Sequence, residues 1–113
     1  MLTTTHKLKS AVDFNRLYRY GKRAVFPVFT LRWLSIKGQQ LTRFGVVASI
    51  KQLGKANVRN RARRRLWSSL NKTLLLFPAK NYLIAFVLKK EIIKVSWPCL
   101  INIVEQAAKK VRP

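Results

Sequence analysis

Two apolar stretches, Arg43-Phe44-Gly45-Val46-Val47-Ala48-Ser49-Ile50 and Asn81-Tyr82-Leu83-Ile84-Ala85-Phe86-Val87-Leu88, bracket the segment Asn57-Val58-Arg59-Asn60-Arg61-Ala62-Arg63-Arg64-Arg65-Leu66-Trp67. The first stretch alternates, with Phe44, Val46, Ala48 and Ile50 on one side and Arg43, Gly45, Val47 and Ser49 on the other, which predicts a strand whose apolar face Ile50 continues. The second is a continuous apolar run too short for most helices, as expected of a strand buried on both faces. Between them Val58, Ala62, Leu66, Ser69 and Leu70 recur at helical spacing, so a helix is expected from about Val58 to about Lys72, with Asn57 as its N-cap. Strand, helix and strand in this order predict parallel pairing through a crossover helix.

Outward from this unit, Ser10 followed by Asp13 resembles a capping box and opens a helix through Tyr20. Phe14, Leu17 and Tyr18 share one face of it, and Gly21 is placed to end it at C′. Val25 to Ile36 is β-branched and aromatic with alternation and reads as one strand, and Lys37-Gly38-Gln39-Gln40 reads as a hairpin connection to the next. Ser96 caps a last helix with Pro98 in its first turn and Leu100, Ile101, Val104, Ala108 and Val111 as its apolar stripe. The expected fold is α+β, a two-layer α/β sandwich in the order α-β-β-α-β-α. Residues 1–113 are read as a single domain, with 1–6 as a flexible N-terminus.

Composition limits what such a domain does. Of 113 residues 49% are hydrophobic and 11% aromatic, enough for a core, yet 24 Lys and Arg face only three acids, Asp13, Glu91 and Glu105, for a net charge of +21. A folded chain of this mass exposes about 6,400 Å², so each net positive charge has only about 300 Å² to itself. Repulsion at that density opposes compaction and calls for a polyanionic partner. One histidine (His6) and three acids in no motif make paired-carboxylate catalysis nearly impossible to assemble and suggest no protein-held metal. The lone Cys99 permits neither an internal disulfide nor a cysteine-based zinc site, which suits a reducing cytosol. No apolar run reaches membrane-spanning length and the N-terminus lacks a signal-peptide core, so a cytoplasmic location is expected, without membrane or small-molecule substrate.

The basic helix carries the sharpest signal. At 100° per residue Arg59 and Arg63 line one edge of its apolar seam, Arg65 flanks the other, and Arg61 and Arg64 project to solvent. A merely solvated charged face would intersperse Glu for i, i+4 pairing, but no acid lies between Asp13 and Glu91. With Asn57 as cap, Arg59 and Arg61 fall in the first turn, where the macrodipole disfavours cations unless phosphates occupy the site. Arginine forks suit phosphate better than lysine point charges.

Gly54-Lys55-Ala56-Asn57-Val58-Arg59-Asn60-Arg61-Ala62-Arg63-Arg64 resembles the signature of the bacterial ribonuclease P protein subunit, G-x-A-x-x-R-N-R-x-[KR]-R on a crossover helix. Leu8-Lys9, Asp13-Phe14, Tyr18 and Gly21 resemble that family's opening motif, and Arg43-Phe44-Gly45-Val46 its second strand; the likeness covers about residues 7–88. The resemblance implies a left-handed β-α-β crossover, against the general preference. It implies a noncatalytic subunit that binds the ribonuclease P RNA and the 5′ leader of precursor tRNA, while the RNA removes the leader with Mg²⁺ that it mainly holds itself. Lys51, Lys55, Arg59, Asn60, Arg61, Arg63, Arg64 and Arg65 are the implied contacts to the RNA subunit. Phe14 and Tyr18 match leader-cleft aromatics, although their helical spacing fits core packing equally well. Arg32 stands where relatives often carry a strand aromatic; a guanidinium there stacks on a base or binds phosphate. Ile50-Lys51 stands in place of a usual Lys-Lys pair. A structural, ribosomal-type RNA-binding protein is the alternative that the charge alone allows, and a membrane-surface binder is disfavoured because the core needs the helix's apolar seam.

If Arg59 and Arg61 hold phosphates, Arg59→Ala with Arg61→Ala is expected to lower the log–log salt slope of RNA binding by about 0.7 to 0.9 per lost contact. Titration of RNA at several salt concentrations measures it.

Overall fold

The computed structural model describes residues 7–8, 11–38 and 41–111. Its elements in chain order are α1 (Ala11–Tyr20), β1 (Lys22–Val25), β2 (Phe29–Ser35), β3 (Arg43–Val47), a short α2 (Ile50–Leu53), α3 (Ala56–Thr73), β4 (Tyr82–Leu88) and α4 (Trp97–Val111), with 3-10 turns at Leu74–Leu76 and Lys90–Ile93. The four strands form one sheet in the order β1-β2-β4-β3. β4 pairs antiparallel with β2 and parallel with β3, Phe44 facing Ile84 and Val46 facing Phe86 in register. The expected parallel crossover is present, with α3 between its strands, and β4 is buried along nearly its whole length as its apolar run requires.

Successive side chains alternate across the sheet, so register sorts them into two faces. Phe29, Leu31, Ile84, Phe86, Leu88 and Phe44 point to the side covered by α3 and α4, where they meet Ala62, Leu66, Leu70, Leu100, Val104 and Ala108. Phe29 and Phe86 stack edge to face at 5.0 Å between centroids, as do Phe44 and Phe77 at 5.5 Å. Leu83 and Ala85 point the other way and meet Leu8, Leu17 and Phe14 beneath α1. The sandwich is therefore one sheet between α1 on one side and α3 with α4 on the other. Ser96 Oγ accepts a hydrogen bond from Cys99 N at 3.3 Å, capping α4 as expected.

Four local expectations are corrected. Val25 to Ile36 is not one strand: Pro27, which donates no backbone hydrogen bond, sits in a tight turn between β1 and β2. Phe26 N donates to Phe29 O at 2.9 Å to close that turn, and Lys89 Nζ donates to Phe26 O at 2.9 Å to hold it. Lys37-Gly38 does not lead into a hairpin, because β4 lies between β2 and β3; Gln39 and Gln40 fall outside the described residues. Ile50 leaves the strand and opens α2, 68% exposed, with Ser49 Oγ accepting from Gln52 N at 3.2 Å. α3 begins at Ala56, with Lys55 at the cap position and no side-chain cap bond. Asn57 lies inside that first turn, its Oδ1 accepting from Val58 N at 3.0 Å. Arg59 therefore closes the first turn and Arg61 belongs to the second, which moves Arg61 away from the strongest part of the dipole. The Ser10 cap and the expectation for residues 1–6, His6 included, lie outside the described residues. Among the described residues no helix is long and apolar enough to cross a membrane.

Gly21 ends α1 as expected, its N–H donating to Leu17 O at 2.9 Å, but not through a left-handed conformation. Space is the reason: a Cβ there would lie 2.4 Å from Leu17 O and 2.9 Å from Trp33 O, both backbone atoms. Gly21→Ala is expected to cost about 1–3 kcal/mol, read as a lower urea midpoint with an unchanged m-value.

Candidate nucleic-acid interface

Eighteen residues of α3 present one seam to the core, Ala62, Leu66, Ser69, Leu70 and Thr73, all buried. The two hydroxyls in that seam are satisfied within the helix, Ser69 Oγ donating to Leu66 O at 2.7 Å and Thr73 Oγ1 to Ser69 O at 3.0 Å. The remaining surface of α3 is mostly polar, and its charged side chains are all basic. Asn60, Arg61 and Arg64 are exposed and Arg59, Arg63 and Arg65 half-buried, the distribution the helical wheel gives. Lys51 on α2 and Lys55 at the head of α3 are exposed beside them. No acid stands in the first turn of α3, so phosphate oxygens approaching there meet donors and cations without competition.

These side chains are not equivalent. Asn60 Oδ1 accepts from Arg63 Nη1 at 3.0 Å, which fixes the guanidinium along the helix flank and makes Asn60 a positioning residue. Arg65 is occupied internally. Its Nη1 donates to Ile93 O at 3.2 Å and its Nη2 to Val95 O, binding α3 to the turn before α4. Arg65, expected among the RNA contacts, is half-buried with its guanidinium held against residues 93–95. Arg59 Nε is buried without a hydrogen-bond partner.

A second basic surface lies across the sheet. On the α1 side the register sets Arg23, Arg32, Ala85 and Gly45 in one row, and Val25, Thr30, Val87 and Val47 in the next. α1 covers the first row only in part. Phe14 packs over Gly45 so closely that a Cβ there would lie 2.7 Å from its ring. Phe14 is half-buried among Leu8, Leu17, Leu83 and Ala85, which gives it a packing role at the cleft wall. Tyr18 stays 41% exposed, with the Arg32 guanidinium 4.6 Å from its ring centroid. The structure thus joins two of the three expected leader-cleft residues as a stacked pair.

The second row stays open, Val25 exposed and Thr30, Val87 and Val47 half-buried, so the sheet offers an apolar strip edged by Arg23 and Arg32. Like charges directly opposite each other on paired strands are unfavourable, and no carboxylate occurs on any of the four strands. An anion laid along the strip relieves that repulsion. Sequence reasoning missed Arg23, which meets Arg32 only once β1 folds back on β2, and the valine row, which assembles only when β4 brings Val87 beside Thr30 and Val47, 57 and 40 residues away. Asp13, half-buried on α1, lies 3.8 Å from Arg16.

The sequence profile of the Ribonuclease P family matches residues 2–112. The chain is 34% identical over 107 residues to the ribonuclease P protein component of Caldanaerobacter subterraneus subsp. tengcongensis, covering 92% of this chain and 87% of that one. It is 39% identical over 72 residues to that of Synechococcus elongatus, where the match spans 61% of this chain and 59% of the relative's length. Its fold is similar to that of the RNase P proteins of Staphylococcus aureus (TM-score 0.80, 21% identity, 95% of each chain) and Thermotoga maritima (TM-score 0.81, 21% identity, 95% of this chain and 98% of that one).

The internal engagement of Arg65 separates it from its neighbours in a measurable way. Arg65→Ala is expected to destabilise the fold by about 1–3 kcal/mol through its stranded carbonyl partners, leaving the salt slope of RNA binding unchanged. Arg61→Ala with Arg64→Ala is expected to do the reverse. Denaturant midpoints and salt titrations of the same variants check both.

Proposed function

The chain belongs to the ribonuclease P protein family, and on that premise we propose that it is the noncatalytic protein subunit of a ribonuclease P holoenzyme. In this reading α3, with Lys51 and Lys55, binds the RNA subunit. The open row of the sheet, with Tyr18 and Arg32 at its wall, takes the single-stranded 5′ leader of precursor tRNA. The observation that carries the reading is α3 itself: a helix whose exposed side chains are Asn57, Asn60, Arg61, Arg64, Ser68, Asn71 and Lys72 beside Ala56, with no acid anywhere along it.

The division of labour follows from what the residues can do. Guanidiniums on α3 bind phosphates bidentately whatever the base, so they orient a folded RNA without reading its sequence. The apolar strip offers stacking and van der Waals contact to unpaired bases, which suits a leader of variable sequence. Asp13, Glu91 and Glu105 sit on three separate elements, and among the described residues no three His, Cys, Asp or Glu side chains gather. That donor set does not fit an all-protein Mg²⁺ site. The hydrolysis and its Mg²⁺ are accordingly assigned to the RNA partner, whose phosphates the protein screens so that less Mg²⁺ suffices.

Reconstitution tests the proposal. Added to a bacterial ribonuclease P RNA at low Mg²⁺, the protein is expected to raise the rate of 5′-leader removal from precursor tRNA and to show no cleavage alone. RNA binding that leaves this reaction unchanged would favour a structural, ribosomal-type role. Tyr18→Ala with Arg32→Ala is expected to weaken holoenzyme binding of precursor tRNA by about 1–3 kcal/mol while leaving mature tRNA unaffected, as competition between the two tRNAs would show.

A further inference from the structure

The side of the sheet away from Arg32 carries a groove that neither surface above includes. It is lined by Tyr20 at the end of α1, Lys22 at the start of β1, Trp33 and Ser35 on β2, Tyr82 at the start of β4, and Lys110 in the last turn of α4. Register places it: Lys22 faces Trp33 and Ser35 faces Tyr82, all on the α3–α4 side. Tyr18 and Tyr20 are about 200° apart around α1, so one helix end gives one ring to the leader cleft and another to this groove. Tyr20 is 67% exposed, and the Arg19 guanidinium lies 5.6 Å from its ring centroid.

We propose that this groove holds one unstacked nucleotide of single-stranded RNA, its base against Tyr20 and Trp33 and its flanking phosphates on Lys22 and Lys110. The inference rests on the reading of the chain as an RNA-binding subunit and adds to it a third contact. Three aromatic side chains and two ammonium groups line one concavity, and among the described residues no Asp or Glu lines it. Aromatic faces stack on any base, and lysine ammoniums donate to phosphate oxygens from any direction, a combination suited to a flexible strand. The Ser35 hydroxyl adds a donor and acceptor for a base edge or a 2′-hydroxyl. A free phosphate would use the two lysines and leave the aromatic wall idle. A duplex would present no unstacked base.

The test uses the full chain and an oligouridylate of roughly ten nucleotides, first without the ribozyme. Tyr20→Ala leaves the net charge untouched and alters an exposed side chain; it is expected to lower oligouridylate affinity about fivefold or more. Lys22→Gln with Lys110→Gln is expected to reduce the salt slope by about 1.4 to 1.8, two contacts' worth. Affinity within about twofold of the parent for Tyr20→Ala, or an unchanged slope for the lysine pair, overturns the proposal. In the assembled holoenzyme, 4-thiouridine placed either in the precursor leader or in the ribozyme is expected to cross-link to Tyr20, Trp33 or Tyr82, and the arm that does so names the source of the strand. Cross-links confined to α3 and the Tyr18–Arg32 cleft in both arms also overturn it. Failure of ribozyme stimulation would refute the proposed function instead, and the oligouridylate measurements would still decide the groove.

Discussion

β4 has to be kept from water on both faces, since Leu83 to Leu88 offers no polar side chain to either. That requirement makes the sheet a partition with two different coverings. Two long helices seal one side with a large aromatic and aliphatic core; a ten-residue helix seals only part of the other. The incomplete covering leaves the valine row open, and burial of the opposite side turns α3's seam inward and its arginines outward. Both basic surfaces are thus consequences of how one strand is buried.

Charge is the second organising condition. With three acids in the chain, positive groups find partners in aromatic rings and backbone carbonyls: Lys7 over Trp67, Arg32 over Tyr18, Arg65 on Ile93 and Val95, Lys89 on Phe26. These contacts order individual cations without cancelling their charge. The field that remains draws polyanions to the surface from a distance set by ionic strength.

How far the sequence discloses this arrangement depends on the range of the forces involved. Helical and strand periodicity are local, and they place α3, β4, α4 and the outward arginines correctly. The parallel crossover follows from their order. Pairing is not local: nothing within residues 22–36 says that β1 folds back on β2 except Pro27, whose missing donor marks the break. Nor does residue 36 reveal that β4 inserts between β2 and β3. The short α2 had a legible sign, Ser49-x-x-Gln52, the spacing of a capping box, outweighed by the apolar alternation that ended on Ile50. At the interface, Arg61 and Arg64 were readable from angle alone, whereas Arg65 was not, because its acceptors lie 28 and 30 residues further along the chain.

The rims of the sheet show a further use of the same charge. β3 would present bare backbone at its outer rim, but Leu8 N donates to Phe44 O at 2.8 Å and the Lys7 ammonium rests 5.3 Å from the Trp67 ring centroid, closing part of that rim. At the opposite rim β1 opens with Lys22 and Arg23, a pair of cations that discourages strand addition by another copy. Guarding by repulsion weakens as counterions accumulate. Concentrated salt therefore does two things to this molecule at once: it shortens the reach of the field that draws polyanions and lowers the barrier to self-association, so its colloidal behaviour and its attraction for polyanions are governed by a single variable.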